Sequence, residues 1–347
     1  CTGLKKATIG KGLVSLSGNT FEGCTALETV QLSEGLETIG SAAFRGCTSL
    51  KAIKLPSTLK GIMNSAFTGC EALTAVVIPD SVETLGEEAF KDCASLASAK
   101  VGKGVKVIPV SLFENDTLLK EITLSDNLEE IQVNAFAGTG YVLDTKNYKD
   151  GLLYIGNHIV AADAKAFKGD IVIPTNTKVI ADEAFQTVDT ITGVTIKGAT
   201  TVGAKAFYNC TGIKKIDVDA KYIGAQAFYQ CSALEEAKVS GCTAISGEAF
   251  YQCSALKEVS LPASLTLVGN NAFYGCNNLK TVNYEGSSAQ KDEVLVSVGN
   301  GNLKGADWNC EGGNDNGGDG FFAKIKAFFA SFFEKIITAI RNLFGKK

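Results

Sequence analysis

Large apolar residues recur along this chain at an interval much longer than the period of a helix or a strand. Phe stands at positions 21, 44, 67, 90, 113 and 136, and then at 167, 185, 207, 228, 250 and 273. The first six are 23 residues apart, and the later intervals run from 18 to 31. Cys follows three residues after Phe at positions 24, 47, 70, 93, 210, 231, 253 and 276. Repetition at such a period predicts an array of stacked structural units.

One unit reads CTSLKAIKLPSTLKGIMNSAF, over residues 47–67. Its residues Ile53 and Leu55 flank Lys54, and this alternation predicts a short strand with one buried face. A proline ends the strand because it has no N–H to donate, and it does so in four units: Pro56, Pro79, Pro174 and Pro262. Gly often follows the last apolar residue of a unit, at positions 40, 86, 203, 224 and 269, where we expect a left-handed or tight backbone.

A strand this short cannot bury its apolar face alone, but it can do so between copies of itself. About thirteen such rungs, spaced by roughly 4.8 Å, would form a sheet on the order of 60 Å long. We expect each Phe to fill the interior of its turn and to stack on the next Phe, with Cys as a small apolar residue beside it.

The pattern L-x-x-I-x-L-P-x-x-L-x-x-I-G-x-x-A-F-x-x-C resembles the BspA-like, or treponemal, class of leucine-rich repeats. The resemblance implies a repeat solenoid, a right-handed leucine-rich-repeat coil with a concave parallel β-sheet. It also implies a bacterial surface or secreted protein, since some members are adhesins for host matrix proteins or other bacteria. The sequence departs from the pattern where Cys is lost, at Asp116, Thr139, Asp170 and Val188.

The resemblance and the changes in composition together divide the chain into four parts. Residues 1–285 form the repeat array, with an irregular island near 138–166, and residues 286–310 look like a terminal, capping unit. A Gly-, Asn- and Asp-rich stretch over 311–320 is typical of a flexible linker. Residues 321–347 differ in composition from everything before them.

Because residues 1–4 match the middle of a unit, we expect the natural chain to begin before Cys1. The lack of a signal peptide in this sequence therefore says nothing about location.

Composition and charge narrow the function classes. Apolar residues make up 45% of the 347 residues and charged residues 20%, as in a folding chain. A formal net charge of −4 argues against a nucleic-acid partner, which would call for a strongly basic face.

The eleven cysteines raise the question of a metal or redox site. Nine occupy one repeat position on different rungs, and no C-x-x-C occurs, so we expect structural thiols and no metal. Neighbouring rungs could bring two Cys within disulfide range, although the register does not require it. Cys242 and Cys310 fall outside the ladder and are the better candidates for other chemistry.

Enzymatic and cofactor motifs are weak in this sequence. His158, the single histidine, lies in an apolar strand-like segment, where a structural or solvent-facing role is expected over catalysis. The stretch NDNGGDG over 314–320 fails as a calcium loop because Lys326 stands where a Glu is needed. We therefore expect no enzyme and no cofactor.

The outward strand positions are the candidate ligand-binding strip, because a solenoid binds with its concave sheet. This strip is mixed in charge and lacks aromatic anchors, so a solvated face is the alternative. Its members are Thr8, Gln31, Lys54, Val77, Lys100, Thr123, Thr195, Asp217, Lys238, Ser260 and Asn283.

The last 27 residues, 321–347, predict an amphipathic helix with six Lys/Arg and one Glu. We expect it to lie in an anionic membrane surface; the alternatives are an end cap on the array or pairing with another tail. Its apolar face comprises Phe321, Phe322, Ile325, Phe328, Phe329, Phe332, Phe333, Ile336, Ile337, Ile340, Leu343 and Phe344.

Together these features predict a non-enzymatic, extracellular or surface-displayed scaffold for recognition or adhesion. Its concave face would bind a protein or glycan ligand, and its tail would attach it to a membrane or a partner. A purely structural spacer is the alternative that the strip leaves open.

Overall fold

A computed structural model describes residues 1–312 of the chain. It is a parallel-sheet solenoid of about 13 turns. The predicted amphipathic helix over 321–347, and the linker beyond residue 312, lie outside the described residues.

Each turn of the first half contributes two short strands. In chain order these are β1 (Lys6–Thr8), β2 (Ser15–Leu16), β3 (Thr29–Gln31), β4 (Thr38–Ile39), β5 (Ala52–Ile53), β6 (Gly61–Ile62), β7 (Ala75–Val77), β8 (Thr84–Leu85), β9 (Ser98–Lys100), β10 (Val107–Ile108), β11 (Glu121–Thr123) and β12 (Glu130–Ile131).

The irregular island follows and differs in its hydrogen bonding. It holds α1 (Gly140–Leu143), a 3-10 helix (Thr145–Asn147), β13 (Tyr148–Lys149), β14 (Leu152–Ile155) and β15 (His158–Ala162). The pairs β13–β14 and β14–β15 are antiparallel, whereas every other strand pair in the described residues is parallel.

The second half returns to the repeat. Its elements are β16 (Gly169–Val172), β17 (Val179–Ile180), β18 (Ile191–Val202), β19 (Lys215–Ile223), β20 (Glu236–Ser240), β21 (Ala244–Ile245), β22 (Glu258–Leu261), β23 (Leu267–Val268), β24 (Thr281–Ser287), α2 (Ser288–Glu293), β25 (Leu295–Val296), α3 (Gly301–Lys304) and β26 (Asp307–Gly312).

Parallel pairing sorts the strands of the repeat into two ladders. The first ladder runs in three hydrogen-bonded pieces, β1-β3-β5, β7-β9-β11 and β16-β18-β19-β20-β22-β24-β26. The second ladder contains β2-β4-β6-β8, β10-β12, and a last piece that passes from β15 and β17 to β25. The long strands β18 and β19 serve both ladders, since each of them pairs with strands of the first and of the second ladder.

The third side of the coil is formed by the Phe turns, the segments that carry the Phe and Cys of each unit. Here backbone hydrogen bonds again join successive turns: Phe44 N–H donates to Ala66 O, and Phe67 N–H to Ala89 O, both at 2.8 Å. These bonds hold the inward Phe rings in line with one another.

The predicted Phe stack is confirmed. The rings of Phe67 and Phe90 are fully buried, and their centroids are 5.1 Å apart with an interplanar angle of 3°. One run of stacked rings extends from Phe21 to Phe136, and a second begins with a tilted pair at Phe167 and continues to Phe273. The island separates the two runs.

Left-handed backbone brackets the stacked rings. Around Phe67, Ser65 has φ of 56° and Gly69 has φ of 70°, and around Phe228, Gln226 and Gln230 have φ of 58° and 54°. Two such residues per turn reverse the chain on either side of the ring. Non-glycine residues at these positions carry a steric cost, which packing of the ring must offset.

The glycines for which we expect a left-handed or tight backbone are required for a different reason. Gly40 and Gly86 do not have positive φ; instead, a Cβ at Gly86 would lie 2.2 Å from the backbone nitrogen of Asn64 in the turn before it. The expected tight backbone is therefore a close approach between turns, which only glycine permits.

We predict that Phe67→Ala lowers the free energy of unfolding by about 3–5 kcal/mol, because it empties a fully buried aromatic site between two other rings. Urea unfolding followed by circular dichroism measures this effect. Lys54→Ala, at an exposed position of the same unit, is the control. Equal unfolding midpoints for the two variants would contradict the role assigned to the stack.

Candidate functional site

The outward positions of the first ladder form rows across neighbouring strands. Thr8 pairs with Gln31, Val77 with Lys100, and Lys100 with Thr123. Lys54 lies next to β5, directly after Ile53. In the second half the register links one member from each strand: Thr195, Asp217, Lys238, Ser260 and Asn283. All of these side chains are exposed or half-buried, while their strand neighbours point inward.

The structure adds two members that the sequence analysis missed. Val172 pairs with Thr195, and Asn309 pairs with Asn283, so both extend the same row. Val172 is 70% exposed, as Val77 on the same row is 61% exposed. The sequence contains a signal that places Val172 on this row: Val172 stands two residues before Pro174, just as Lys54 stands two residues before Pro56.

Charges along the row are only partly neutralised. Lys197 Nζ lies 2.7 Å from Asp217 Oδ2, and Asn309 Nδ2 donates to Asn283 Oδ1 at 3.0 Å. Within the described part of the chain, Lys54, Lys100 and Lys238 form no salt bridge. The unpaired charge on the row is therefore positive.

A groove of about 690 Å³ lies where the island interrupts the first ladder. Its walls combine aromatic and aliphatic side chains, among them Tyr141, Tyr154, Phe167 and Val172, with Lys149 and Asp150 also lining it. Since Val172 belongs to both the row and the groove, the two surfaces are continuous. The strip thus has the aromatic groups beside it that its own sequence lacks.

Polar contacts fix the island that builds this groove. Tyr141 hydroxyl donates to the Tyr154 carbonyl oxygen at 2.7 Å, and Asn147 Nδ2 donates to the Tyr141 carbonyl oxygen at 2.8 Å. His158 is fully buried, with its Nε2 3.1 Å from the Ser125 carbonyl oxygen, and burial lowers the pKa of its imidazole. The histidine therefore has a structural position between the island and the connection that follows β11.

The repeat cysteines have a defined hydrogen bond. The thiol of Cys70 donates to the carbonyl oxygen of Phe44 in the preceding turn at 3.3 Å, and Cys93 does the same to Phe67. Cys24, Cys47, Cys70 and Cys93 are buried, as expected, and form no disulfide. Burial raises the pKa of Cys47 to about 12. The thiols join successive turns without a disulfide.

Cys242 is a core residue, and its interpretation as a candidate for separate chemistry was wrong. The pairing of Ala244 with Leu267 aligns Cys242 with Leu265, an interior position of the second ladder. Burial raises the pKa of its thiol to about 12. Cys310 is half-buried in β26, opposite Tyr284.

Within residues 1–312, no three His, Cys, Asp or Glu side chains lie together in a way that could hold a metal ion. No helix in the same residues has the length and apolar character needed to cross a membrane.

The sequence matches the family described as BspA type Leucine rich repeat region (6 copies), over residues 1–96, 37–166 and 163–280. The chain belongs to this family. The BspA-type family consists of bacterial surface repeat proteins, and leucine-rich repeats are generally non-enzymatic scaffolds for protein interaction.

The chain is also similar to solved structures of leucine-rich repeat proteins. A leucine-rich repeat protein from Bacteroides ovatus is 24% identical, with 90% of this chain and 85% of that chain covered and a TM-score of 0.42. A leucine rich cell surface protein from Faecalibacterium prausnitzii is 24% identical, with coverage of 84% and 90% and a TM-score of 0.41. At these identities the similarity concerns the fold alone. No curated protein matches the chain.

Asp116 replaces the Cys of the BspA-type repeat in a buried place. Its Oδ1 accepts the Cys93 N–H at 2.7 Å, and within residues 1–312 its Oδ2 has no hydrogen-bond partner. Burial raises the pKa of the carboxyl group to about 9, with a smaller contribution from Asp92. A neutral carboxyl group can donate from Oδ2, as the thiol does in other turns.

We predict that Asp116→Asn makes the protein more stable at pH 8 and that the difference shrinks toward pH 4. The unfolded carboxyl group titrates near 3.8 and the folded one near 9. Between these values folding takes up a proton, so wild-type stability falls as pH rises, by up to about 1.4 kcal/mol per pH unit. Asn supplies the same acceptor and a permanent donor, without this dependence.

Urea unfolding of both proteins at a series of pH values between 4 and 9 measures this difference. Asp307→Asn, at an exposed position, is the matched control and should show no such trend. An Asp116→Asn variant that is uniformly less stable at every pH would show that Asp116 is charged in the fold.

Proposed function

We propose that this chain is a non-enzymatic recognition protein, secreted or displayed at a bacterial surface, with adhesion as its role. Its ligand is a protein, bound along the outward row of the first ladder and anchored in the island groove. The observation that carries this proposal is the exposed Val172, which stands on the row at the wall of an aromatic-lined groove.

A few buried anchors supply most of the free energy of a protein interface, and they favour sites that neighbouring contacts shield from water. The island groove provides such a site, because Tyr141, Tyr154 and Phe167 stand around it. A ligand side chain that enters the groove would cover Val172 and remove its apolar surface from water.

The charges on the row favour an acidic ligand surface. Lys100 lies two strands before the island, and Lys238 lies three strands after Val172 along the row. Neither ammonium group forms a salt bridge within the described residues. Such rim charges would steer association and set its salt dependence more than its affinity. The net charge of −4 supports a protein or a glycan over a nucleic acid.

We predict that Val172→Asp weakens binding of the full chain to immobilised matrix proteins by roughly tenfold, or about 1.4 kcal/mol. The reason is that a carboxylate at the groove wall would lose its hydration when the ligand docks. Val298→Asp is the matched control, because Val298 is 73% exposed on the terminal unit, away from the row.

Surface plasmon resonance on fibronectin, fibrinogen and collagen distinguishes the candidate functions. Equal losses in both variants would contradict a specific site on the row. If the folded wild-type protein binds none of these surfaces and no other bacterial cells, this result would favour the alternative that the array is a structural spacer.

The tail over 321–347 adds an attachment function in this proposal. Exposing its twelve large apolar residues to water costs roughly 25 cal/mol for each Å². Six Lys/Arg against one Glu give it a charge of +5, whereas the whole chain carries −4. Cations beside an apolar face suit anionic lipid headgroups; capping the array or pairing with a second tail are the alternatives.

We predict that the full chain sediments with vesicles of mixed phosphatidylglycerol and phosphatidylcholine, and that deletion of residues 321–347 abolishes this. High salt should weaken the binding, because screening shortens the reach of the lysine and arginine charges. Replacing Phe328, Phe329, Phe332 and Phe333 by Ser keeps every charge and separates apolar from electrostatic attachment. Vesicle-independent dimerisation through the tail, or no sedimentation of the full chain, would contradict the membrane role.

A further inference from the structure

Four tyrosines form a second aromatic stack on the outside of the last turns. Tyr208, Tyr229, Tyr251 and Tyr274 each follow an inward Phe directly, so they point away from the core. Their ring centroids lie 4.8, 4.8 and 5.1 Å apart, with interplanar angles of 17° or less. In the first half this position holds four charged residues, besides Thr68 and Ala137, and the charged residues pair across turns: Arg45 with Glu22, and Lys91 with Glu114.

A groove without charged residues runs beside this tyrosine stack. It has a volume of about 710 Å³, and Gln230 Nε2 donates to Gln252 Oε1 within it at 2.9 Å. Amides, hydroxyls and one aromatic ring dominate its lining: Asn209, Thr211, Gln230, Ser232, Gln252, Ser254, Tyr274, Asn277 and Asn302. It lies on the Phe turns and is separate from the first-ladder row.

The amides of this groove occupy left-handed backbone. Asn209, Gln230 and Gln252 have φ of 56°, 54° and 55°, two residues after their Phe. Gly23, Gly46 and Gly69 occupy the same place in early turns, where glycine avoids the steric cost. Asp92 and Asn115 occupy it in later turns of the first half, and Gly275 occupies it after Phe273, so what distinguishes the groove is a run of three successive amides.

The tyrosine stack ends with an uncovered ring. Phe273 N–H donates to Asn300 Oδ1 and Gly275 N–H donates to Asn302 Oδ1, so residues 300–302, with Gly301 at their centre, lie beside the turn that carries Tyr274. A Cβ on Gly301 would meet no atom within 4 Å. Tyr274 is 48% exposed and is one of the residues that line the groove.

We propose that this groove binds a neutral saccharide, with a sugar ring stacked on Tyr274 and its hydroxyls bonded to the amide and hydroxyl side chains. Sugar hydroxyls both donate and accept, and Gln252, Asn277 and Ser254 offer the same two functions. One face of a pyranose ring carries C–H groups, which pack against an aromatic face. The site is independent of the first-ladder row.

The lining argues against charged ligands. A sulfated or carboxylated glycan would require Lys or Arg in the groove, and its lining contains neither. The pairs that link its own side chains are neutral: Gln230 with Gln252, and Asn302 Nδ2 with Asn277 Oδ1 at 3.3 Å. A ligand would therefore replace hydrogen bonds between neutral side chains with its own, and it would not have to neutralise a charge.

Saturation-transfer NMR with the full chain tests the proposal, with cellohexaose, maltohexaose, mannohexaose and chitohexaose as neutral probes. Oligogalacturonate and a heparin hexasaccharide are the charged comparisons. We expect at least one neutral probe to bind, and the charged probes not to bind. Absence of binding by every neutral probe at roughly 10 mM would overturn the proposal.

Two variants locate the binding. Tyr274→Ala removes the ring and should lower the affinity for the saccharide probe by about tenfold or more. Gly301→Leu leaves the ring in place but fills the space beside it, and should also abolish binding. Because Gly301 has no positive φ and open space around its Cβ, this variant should keep its wild-type melting temperature.

The controls separate this site from other surfaces. Thr68→Ala changes the equivalent position of an early turn, and Val172→Asp changes the first-ladder groove; neither should affect saccharide binding. Unchanged binding in both Tyr274→Ala and Gly301→Leu would overturn the proposal. So would loss of matrix-protein binding in these variants without loss of the saccharide, which would assign the groove to a protein partner.

Discussion

Stacking between the Phe rings of successive turns is the interaction on which the rest of the structure depends. A turn has strands of two to five residues in most units, and no single turn encloses an apolar volume. Each ring is buried by the ring before it and the ring after it, as at Phe44, Phe67 and Phe90. Stability is therefore shared between neighbours, and local features that look costly, such as left-handed Ser65, are tolerated because they hold the ring in place.

The chemistry around the stack follows from the need to join turns closely. Gly86 allows backbone to approach backbone, and the Cys70 thiol reaches the Phe44 carbonyl oxygen in the turn before it. A thiol suits this place because it is small, apolar and still able to donate. At Asp116 the same place holds a carboxyl group, and burial keeps it protonated well above its ordinary pKa.

Much of this architecture could be predicted from the sequence, because equivalent positions in successive repeat units have the same structural environment. The burial of Phe67, the interior thiols and the outward positions of the first ladder followed from periodicity alone. The Tyr141–Tyr154 contact, the groove beside Val172 and the role of Gly301 could not follow from it. Those features depend on how an irregular segment packs against regular ones, and this arrangement has no counterpart elsewhere in residues 1–312.

The breaks in the repeat are also where the surface becomes capable of binding. Inside the array, outward side chains tend to satisfy one another across turns: Lys215 pairs with Glu236, Lys257 with Glu235, and each tyrosine covers the next. A group that already has its partner gains little from a ligand. Where the island interrupts the first ladder, Val172 lies at the wall of an aromatic-lined groove, and where the tyrosine stack ends, Tyr274 is 48% exposed. A solenoid can therefore gain distinct binding sites by interrupting its repeat, while the stacked core that supports those sites stays the same on both sides of the interruption.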